Sequence, residues 1–184
     1  MKLIQQSIED VILIEPSPHG DDRGYFVETF RQDLLEDAVG YKVNFVQDNE
    51  SKSIKGVLRG LHYQLQPFTQ AKLVRVIEGS VLDVAVDLRK SSSTFGQHVS
   101  LELTAQNKRQ LFVPHGFAHG FVVLSDSATF AYKVDNYYAP EHDRGIAFDD
   151  DQLKIDWQLS LEVLQLSDKD RAHPSLAHAK DLFE

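Results

Sequence analysis

The residues best suited to chemistry lie in one short stretch, Leu58-Arg59-Gly60-Leu61-His62-Tyr63-Gln64. Histidine has an unperturbed pKa of about 6.5, so His62 is a candidate for accepting or giving a proton at neutral pH. Arginine stays charged and carries a planar fork that suits phosphate or carboxylate, so Arg59 is a candidate anion contact. This pairing indicates acid–base chemistry on an anionic small molecule. The alternative is a buried, hydrogen-bonded histidine in an ordinary strand.

The strand-like pattern of this stretch imposes a geometric condition. Side chains alternate between the two faces of a strand, and positions 59 and 62 differ by an odd number. If Arg59 and His62 line one pocket, the strand must therefore be bulged or twisted. Gly60 is the residue that would permit it.

Length and composition predict one domain over residues 1–184, because 42% hydrophobic residues are ample for a packed core. The chain has no cysteine, which excludes disulfides, thiolate metal sites and a catalytic Cys. No apolar run approaches the roughly 20 residues of a membrane span. The first ten residues are too polar for a secretory signal, so a cytoplasmic location is expected.

The formal net charge is −9 and the pI is near 5.3. Binding to phosphate backbones depends on clustered Lys and Arg, so this balance argues against nucleic acid and anionic membranes as partners. An anionic small molecule is still compatible with it, because a few cations in a cleft can outweigh the global field at short range.

Many short strands separated by turn residues predict a β sandwich or barrel. Strand patterns cover residues 11–14, 25–30, 45–49, 72–77, 81–88, 99–103, 110–113, 120–124 and 129–134. Glu78-Gly79-Ser80 offers the glycine of a tight hairpin between two of them. A helix is predicted over residues 32–39, closed by Gly40, and helical periodicity returns only after Pro174. Asp83 and Asp87, on one strand face, are predicted to form hydrogen bonds and salt bridges.

Several sequence blocks together resemble the dTDP-4-dehydrorhamnose 3,5-epimerases over nearly the whole chain. The blocks are Gly20-Asp21-Asp22-Arg23-Gly24-Tyr25-Phe26, Phe45-Val46-Gln47-Asp48-Asn49, the stretch around His62, Ala71-Lys72-Leu73-Val74-Arg75, residues 112–121, Tyr132-Lys133, Tyr137-Tyr138-Ala139-Pro140 and Leu166-Ser167-Asp168-Lys169-Asp170. The resemblance implies a mainly β, cupin-type jelly roll (double-stranded β-helix) with a few short peripheral helices. It implies N-terminal strands over about residues 1–50, a jelly-roll core over about 51–150 and a C-terminal segment over about 151–184.

The resemblance assigns four catalytic positions. His62 is similar to the family's catalytic base, and Asp170 to its charge partner. Tyr132 matches the acid on the opposite face of the sugar, and Lys72 the lysine beside the C4 carbonyl oxygen. No cofactor and no metal is implied.

The resemblance also assigns substrate contacts. Arg59 and His119 match pyrophosphate contacts, Gln47 and Asn49 polar groups of the same cleft, and Tyr138 the aromatic residue that stacks on thymine. Asp143 and Lys169 complete the substrate-binding set. Asp143 stands where the family usually has Glu, one methylene longer.

Arg23, Phe26 and Glu28 match a segment that, in the family, reaches into the neighbouring subunit's site. The resemblance therefore implies a homodimer acting on a dTDP-linked 4-keto-6-deoxyhexose, in the pathway that supplies dTDP-rhamnose for surface polysaccharide such as O-antigen.

The implied chemistry explains why these residue types are needed. A ketone at C4 acidifies the protons on C3 and C5, because each carbanion delocalises onto the C4 oxygen as an enolate. Inversion needs a base on one face, here neutral His62, and a proton donor on the other, here Tyr132. A carboxylate fixes the tautomer of the histidine, and a cation such as Lys72 stabilises the enolate oxygen.

Three alternatives stay open. The eight histidines suggest a metal-dependent cupin, but His62 has no second histidine two positions on, and His98, His142, His173 and His178 show no spacing that requires a role. A binding protein that has lost the chemistry would lack His62, Tyr132 or Asp170. An epimerase acting only at C3 or only at C5 cannot be distinguished from residue identities.

Overall fold

Two antiparallel sheets face each other in the computed structural model, which describes residues 1–184. In chain order the strands are β1 (Lys2–Gln5), β2 (Ile12–Glu15), β3 (His19–Asp21), β4 (Gly24–Phe26), β5 (Gln47–Ile54), β6 (Leu58–Gln64), β7 (Lys72–Glu78), β8 (Ser80–Asp87), β9 (His98–Thr104), β10 (Gln110–Val113), β11 (Phe117–Val123), β12 (Ser127–Val134) and β13 (Asp143–Gly145). The helices are α1 (Gln32–Val39) and the short α2 (Asp168–Arg171), with 3₁₀ turns at Pro140–His142, Leu161–Val163 and Leu176–His178.

The larger sheet has the strand order β1-β2-β10-β7-β12-β5, and the smaller one β13-β6-β11-β8-β9. Strands β3 and β4 form a separate exposed hairpin. This two-sheet antiparallel architecture with two short helices confirms the predicted mainly β jelly roll.

Alternating side chains fill the space between the sheets. On β8, Val81 and Ala85 pack in the cluster shared by both sheets, with Val74 and Phe130 of the larger sheet. Leu82, Val84, Val86 and Leu88 point the other way and pack with Trp157 and the rest of the C-terminal segment. The predicted alternation along residues 81–88 is therefore confirmed, and both faces of β8 are buried.

The outer faces of the two sheets are covered by different ends of the chain. The C-terminal residues Ile146, Leu153 and Trp157 bury the outer face of the smaller sheet. Leu35 of α1 packs with Leu73 on the outer face of the larger one. The helix predicted over residues 32–39 is confirmed, and Gly40 ends it in the left-handed conformation, with φ of 80°.

The predicted hairpin at Glu78-Gly79-Ser80 is wrong. Strands β7 and β8 belong to different sheets, so the turn carries the chain across the sandwich. A Cβ on Gly79 would lie 2.1 Å from the Ser127 carbonyl oxygen, which shows how tightly the turn packs against β12. The glycine correctly indicated the turn, but the pairing was decided by burial of both strands between the layers.

Two further predictions need correction. The strand expected over residues 25–30 ends at Phe26, because Phe30 turns to pack edge-on against Phe45, 5.5 Å between ring centroids. After Pro174 the chain forms only a 3₁₀ turn, whereas α2 lies before the proline, where Ser167 caps it by accepting from the Asp170 amide.

No helix combines the length and apolar character needed to cross a membrane.

Candidate active site

A bulge in β6 brings Arg59 and His62 to the same side of the strand. On the neighbouring strand β11, His119 is opposite His62 and Phe121 is opposite Arg59, so three steps on β6 match two on β11. The extra residue reverses the parity, and both side chains border one cavity. Gly60 has φ of 137°, and a Cβ there would lie 2.6 Å from the Gly120 Cα. The predicted bulge at Gly60 is confirmed.

We expect Gly60→Ala to destabilise the protein strongly. The strained backbone alone costs about 1–3 kcal/mol, and the clash with Gly120 adds to it by forcing β6 away from β11. The matched control is Gly24→Ala, since Gly24 has φ of 134° but no atom within 4 Å of the added carbon. Urea unfolding followed by circular dichroism measures both variants. Equal losses of unfolding free energy would show that the close approach of the strands does not matter.

One cavity of about 170 Å³ brings together six of the predicted site residues. It opens between the two sheets and is lined by His62, Tyr63, Gln64, Gln70, Lys72, Tyr132, Tyr138, Asp143 and Lys169. His62 comes from β6 of the smaller sheet, whereas Lys72 and Tyr132 come from β7 and β12 of the larger one. A flat ring bound between the sheets would therefore meet His62 and Tyr132 on opposite sides.

His62 and Asp170 form an imidazole–carboxylate pair at one wall of the cavity. The His62 Nε2 lies 2.5 Å from the Asp170 Oδ1, and the Asp170 side chain is only 7% exposed. Burial lowers the pKa of His62 below its ordinary value, although Asp170 opposes that shift. Burial disfavours the Asp170 carboxylate, but its hydrogen-bond donors outweigh that effect and lower its pKa. Neutral His62 therefore donates from Nε2 to Asp170 and keeps a free lone pair on Nδ1.

Local contacts hold Asp170 beside the strand that carries His62. The Leu58 amide donates to the Gln165 carbonyl (2.9 Å), which ties the segment before α2 to the start of β6. Ser167 then caps α2, with 3.1 Å between its Oγ and the Asp170 amide nitrogen. The carboxylate is thus fixed by backbone contacts on an element far from His62 in sequence.

Lys72 is a half-buried cation on the wall of the cavity. Burial lowers its pKa to about 8, and the carboxylates of Asp143 and Asp83 partly offset that effect. It is therefore mainly charged at neutral pH, close to the point at which it would lose its proton.

Tyr132 lies on β12 of the larger sheet, directly opposite Asn49 on the edge strand β5 and Val74 on β7. Burial raises the pKa of its hydroxyl, and the nearby Arg59 guanidinium opposes this shift. Tyr132 is therefore protonated at neutral pH, as a proton donor must be.

A second carboxylate, Asp143, organises the cavity mouth. Its Oδ2 accepts a hydrogen bond from the Tyr138 hydroxyl (3.0 Å) and pairs with the Lys169 ammonium. Asp143 is thus placed at the site despite being shorter than the family's usual Glu. The exposed Tyr138 ring is 57% accessible and available for stacking.

Four predicted contacts lie near this cavity but do not line it. Arg59 donates from Nε to Ser53 Oγ (3.2 Å) and borders the neighbouring cavity, which it shares with His62. Gln47 and Asn49 share the inner face of β5, where the Gln47 Nε2 donates a hydrogen bond to the Asn49 Oδ1 (2.7 Å). His119 is buried, with its Nε2 2.9 Å from Asp83 Oδ2. Their roles as substrate contacts stay predictions, whereas the structural role expected for Asp83 is confirmed.

Arg23, Phe26 and Glu28 lie away from the cavity of their own chain. Arg23 is paired with Asp21 on the exposed β3–β4 hairpin, and its side chain is 89% exposed. Phe26 is 71% exposed, and Glu28 lies 3.9 Å from Arg31. None of them lines the cavity that contains His62.

Sequence reasoning gave no site role to four residues at or beside the site, namely Tyr63, Gln64, Gln70 and His173. Gln64 and Gln70 line the cavity, and Gln64 also fixes the Tyr138 loop by accepting from the Ala139 amide (2.7 Å). His173, which was given no role, lies with its Nε2 3.5 Å from the Asp170 Oδ1. Its separation of three residues from Asp170, at the end of a helical turn, was the one available signal.

The arrangement can remove a proton with His62, deliver one from Tyr132 across the cavity, and stabilise negative charge between them with Lys72. Comparisons with known proteins show what the chain as a whole is similar to. A family model described as dTDP-4-dehydrorhamnose 3,5-epimerase matches residues 5–178. A curated enzyme of that name from Shigella flexneri is 56% identical over 170 residues, which is 92% of this chain and 93% of the relative.

Two solved structures are similar to the whole fold. One is dTDP-6-deoxy-D-glucose-3,5-epimerase of Legionella pneumophila Philadelphia 1 in complex with dTDP-4-keto-L-rhamnose, with a TM-score of 0.95, 50% identity and coverage of 100% and 97% of the two chains. The other is a 3′-monoepimerase from Streptomyces bikiniensis in complex with dTDP-quinovose, with a TM-score of 0.87, 35% identity and coverage of 94% and 86%. The resemblance read from the sequence blocks is confirmed: the chain belongs to the dTDP-4-dehydrorhamnose 3,5-epimerase family.

Proposed function

We propose that this epimerase inverts C3 and C5 of dTDP-4-dehydro-6-deoxy-D-glucose to give dTDP-4-dehydro-L-rhamnose. The observation that carries the proposal is the placement of His62 and Tyr132 on opposite sheets, at two walls of one cavity that also contains Lys72. Sequence identity favours double over single epimerisation, since the Shigella flexneri 3,5-epimerase is 56% identical and the monoepimerase 35% identical.

The first step is removal of a proton next to the ketone. The Nδ1 of His62 takes the proton from C3 or C5, and the C–H electron pair moves into the ring to form an enolate at the C4 oxygen. Asp170 holds the tautomer that leaves Nδ1 free and stabilises the imidazolium once it forms.

The second step returns a proton from the other side. Tyr132 donates its hydroxyl proton to the same carbon, the C4 ketone re-forms, and the configuration is inverted. Between the steps the Lys72 ammonium stabilises the charge on the C4 oxygen. Removal of such a contact generally costs about 3–4 kcal/mol of transition-state stabilisation.

Substrate contacts outside the sugar supply the binding energy that positions the ring. Arg59 and His119 are proposed for the pyrophosphate, Tyr138 for stacking on thymine, and Gln47, Asn49, Asp143 and Lys169 for polar contacts. Asp143 supports this placement, because it joins Tyr138 and Lys169 at the cavity mouth. The cytoplasmic location stays a prediction.

Proton exchange with heavy water tests the proposed reaction. The chain is incubated with dTDP-4-dehydro-6-deoxy-D-glucose in deuterium oxide, and the product is followed by NMR. Deuterium at both C3 and C5, with inverted configuration at each, is the expected result. Label at one carbon alone would replace the proposal by single-site epimerisation, and no label would remove the catalytic role altogether.

We expect kcat/KM to follow a bell-shaped pH profile, because kcat/KM reports the pKa values of the free enzyme. His62 must be neutral, so the rate rises with pH through its lowered pKa, below 6.5. Lys72 must be charged, so the rate falls as the pH rises through about 8. Lys72→Arg is the control, because a guanidinium does not deprotonate in this range and the alkaline limb should disappear. If the rate of Lys72→Arg still falls as the pH rises through about 8, deprotonation of Lys72 is not the cause of the alkaline limb.

A homodimer is proposed from the position of Arg23, Phe26 and Glu28. These residues match a family segment that reaches a neighbouring subunit, and here they lie outside the cavity of their own chain. The outer face of the larger sheet supports the same proposal, because it leaves Ile54 at 59% and Ile77 at 41% exposed.

Mixing two inactive variants tests whether sites are completed between subunits. His62→Asn and Phe26→Ala are unfolded together and refolded. If Phe26 acts on the neighbouring subunit, each mixed dimer regains one intact site and activity returns to about a quarter of the wild-type level. Two inactive variants that stay inactive after mixing, or a single-chain mass by light scattering, would contradict the proposal.

A further inference from the structure

His62, Asp170 and His173 form a cluster whose three donor atoms all lie within 4.8 Å of one another. The His173 Nε2 lies 3.5 Å from the Asp170 Oδ1, and that oxygen also accepts from His62. The His173 side chain is 9% exposed, and its Nε2 is buried without a hydrogen-bond partner. The 3.5 Å contact with the Asp170 carboxylate is longer than an ordinary hydrogen bond, so this nitrogen is only weakly satisfied, and an ion bound between the two groups would satisfy it better.

The fold holds the His173 ring in this place. Gly145 of β13 is directly opposite His62, and a Cβ on Gly145 would lie 2.3 Å from the His173 Nε2. The ring therefore occupies the space that any other residue at position 145 would fill. The Ala147 amide donates to the Pro174 carbonyl (2.8 Å), which fixes the backbone next to the histidine.

We propose that His62, Asp170 and His173 bind a divalent transition-metal ion such as Zn²⁺, and that the bound ion switches the enzyme off. Two imidazoles and one carboxylate are a common donor set for Zn²⁺, with water in the fourth position. Zinc bonds of about 2.0–2.1 Å place tetrahedral ligands about 3.3 Å apart. The 3.5 Å between His173 Nε2 and Asp170 Oδ1 is already close to this spacing. The 2.5 Å between His62 Nε2 and Asp170 Oδ1 would have to increase by about 0.8 Å when the ion binds.

Access to the site runs through a cavity of about 320 Å³ that His173 lines. The carboxylates of Asp143 and Asp181 border this cavity, and Asp143 is paired with Lys169. The cations at its border are Arg144 and Lys180, and Arg144 is paired with Asp181 at 3.1 Å. The two carboxylates and the two cations at this border balance formally, so the border has no net positive charge that would repel a metal ion.

Inhibition follows from the chemistry of imidazole and rests on the proposed role of His62 as base. A metal ion binds a nitrogen that has no proton, so ligation at Nε2 moves the one proton of neutral His62 to Nδ1. Nδ1 is the nitrogen that must accept the sugar proton. The metal-bound enzyme therefore has a histidine in the wrong tautomer, whereas the nucleotide contacts at Arg59 and Tyr138 are unaffected.

Binding of the ion is measured without substrate, so that its outcome is independent of the epimerase reaction. The full chain, treated with a chelator and dialysed, is titrated with ZnCl₂ in a calorimeter. One site per chain is expected, with at least about 100-fold weaker binding in His173→Phe. MgCl₂ should give no comparable binding, since Mg²⁺ prefers oxygen ligands. His178→Phe is the matched control, because His178 lines the same outer cavity but its Nδ1 bonds Ser175.

Activity then tests the switch. Each protein is compared with itself: ZnCl₂ should lower the kcat of the wild type below its value in chelator, and should leave the kcat of His173→Phe at that variant's own value in chelator. Equal zinc affinity of His173→Phe and the wild type would overturn the proposal, and so would a loss of affinity in His178→Phe. If His173→Phe does not give the circular dichroism of the wild type, His173→Asn replaces it. Zinc binding that depends on His173 in a chain that exchanges no deuterium would support the metal site and reject the proposed function instead.

Discussion

Replacing His62 by asparagine should lower kcat by about 10²–10⁴-fold and abolish deuterium exchange at both C3 and C5. Asparagine keeps a donor for the Asp170 carboxylate but has no nitrogen lone pair that can take a proton. Both inversions use the same base in the proposed mechanism, so both should fail together. Exchange and turnover are measured by NMR in deuterium oxide.

The binding of dTDP should survive the His62→Asn change, because the contacts proposed for the nucleotide lie elsewhere. Titration calorimetry with dTDP checks this. The matched control is His115→Asn, since His115 is half exposed and pairs with Asp135 outside the cavity. Turnover close to wild type in His62→Asn, or exchange that continues at one carbon, would remove His62 from the role of sole base.

Replacing Tyr132 by phenylalanine should separate proton removal from inversion. The base is untouched, so deuterium still enters the substrate, but return of a proton from the far side loses its donor and inversion falls by about 10²–10⁴-fold. The ring itself keeps its packing 6.1 Å from Phe130. The measured quantity is the ratio of exchange to inversion at each carbon.

Stability provides the control for Tyr132→Phe. Burial and Arg59 account for the shifted pKa of Tyr132, with no hydrogen bond to its hydroxyl within the chain, so removal of that hydroxyl should change the unfolding midpoint little. Equal losses of exchange and inversion would mean that Tyr132 is not a separate acid.

Local sequence determined the parts of this protein that depend on near neighbours. The helix over residues 32–39 ends at Gly40, because glycine adopts the left-handed backbone conformation of a helix end without steric cost. The two faces of residues 81–88 follow from the alternation of side chains along a strand. The odd separation of Arg59 and His62 required a bulge at Gly60, and the strand contains it. These predictions succeeded because backbone geometry fixes which side chains share a face.

Tertiary structure decided what depends on distant partners. Gly79 indicated a turn, but only packing between the layers determined that β7 and β8 enter different sheets. His62 and Asp170 are 108 positions apart, and their contact depends on Gln165 and Ser167 docking α2 against β6. The sequence around His173 carries no sign of the space above Gly145, because that space exists only once β13 pairs with β6. Residue identity determined which groups could react, and long-range burial determined which of them meet.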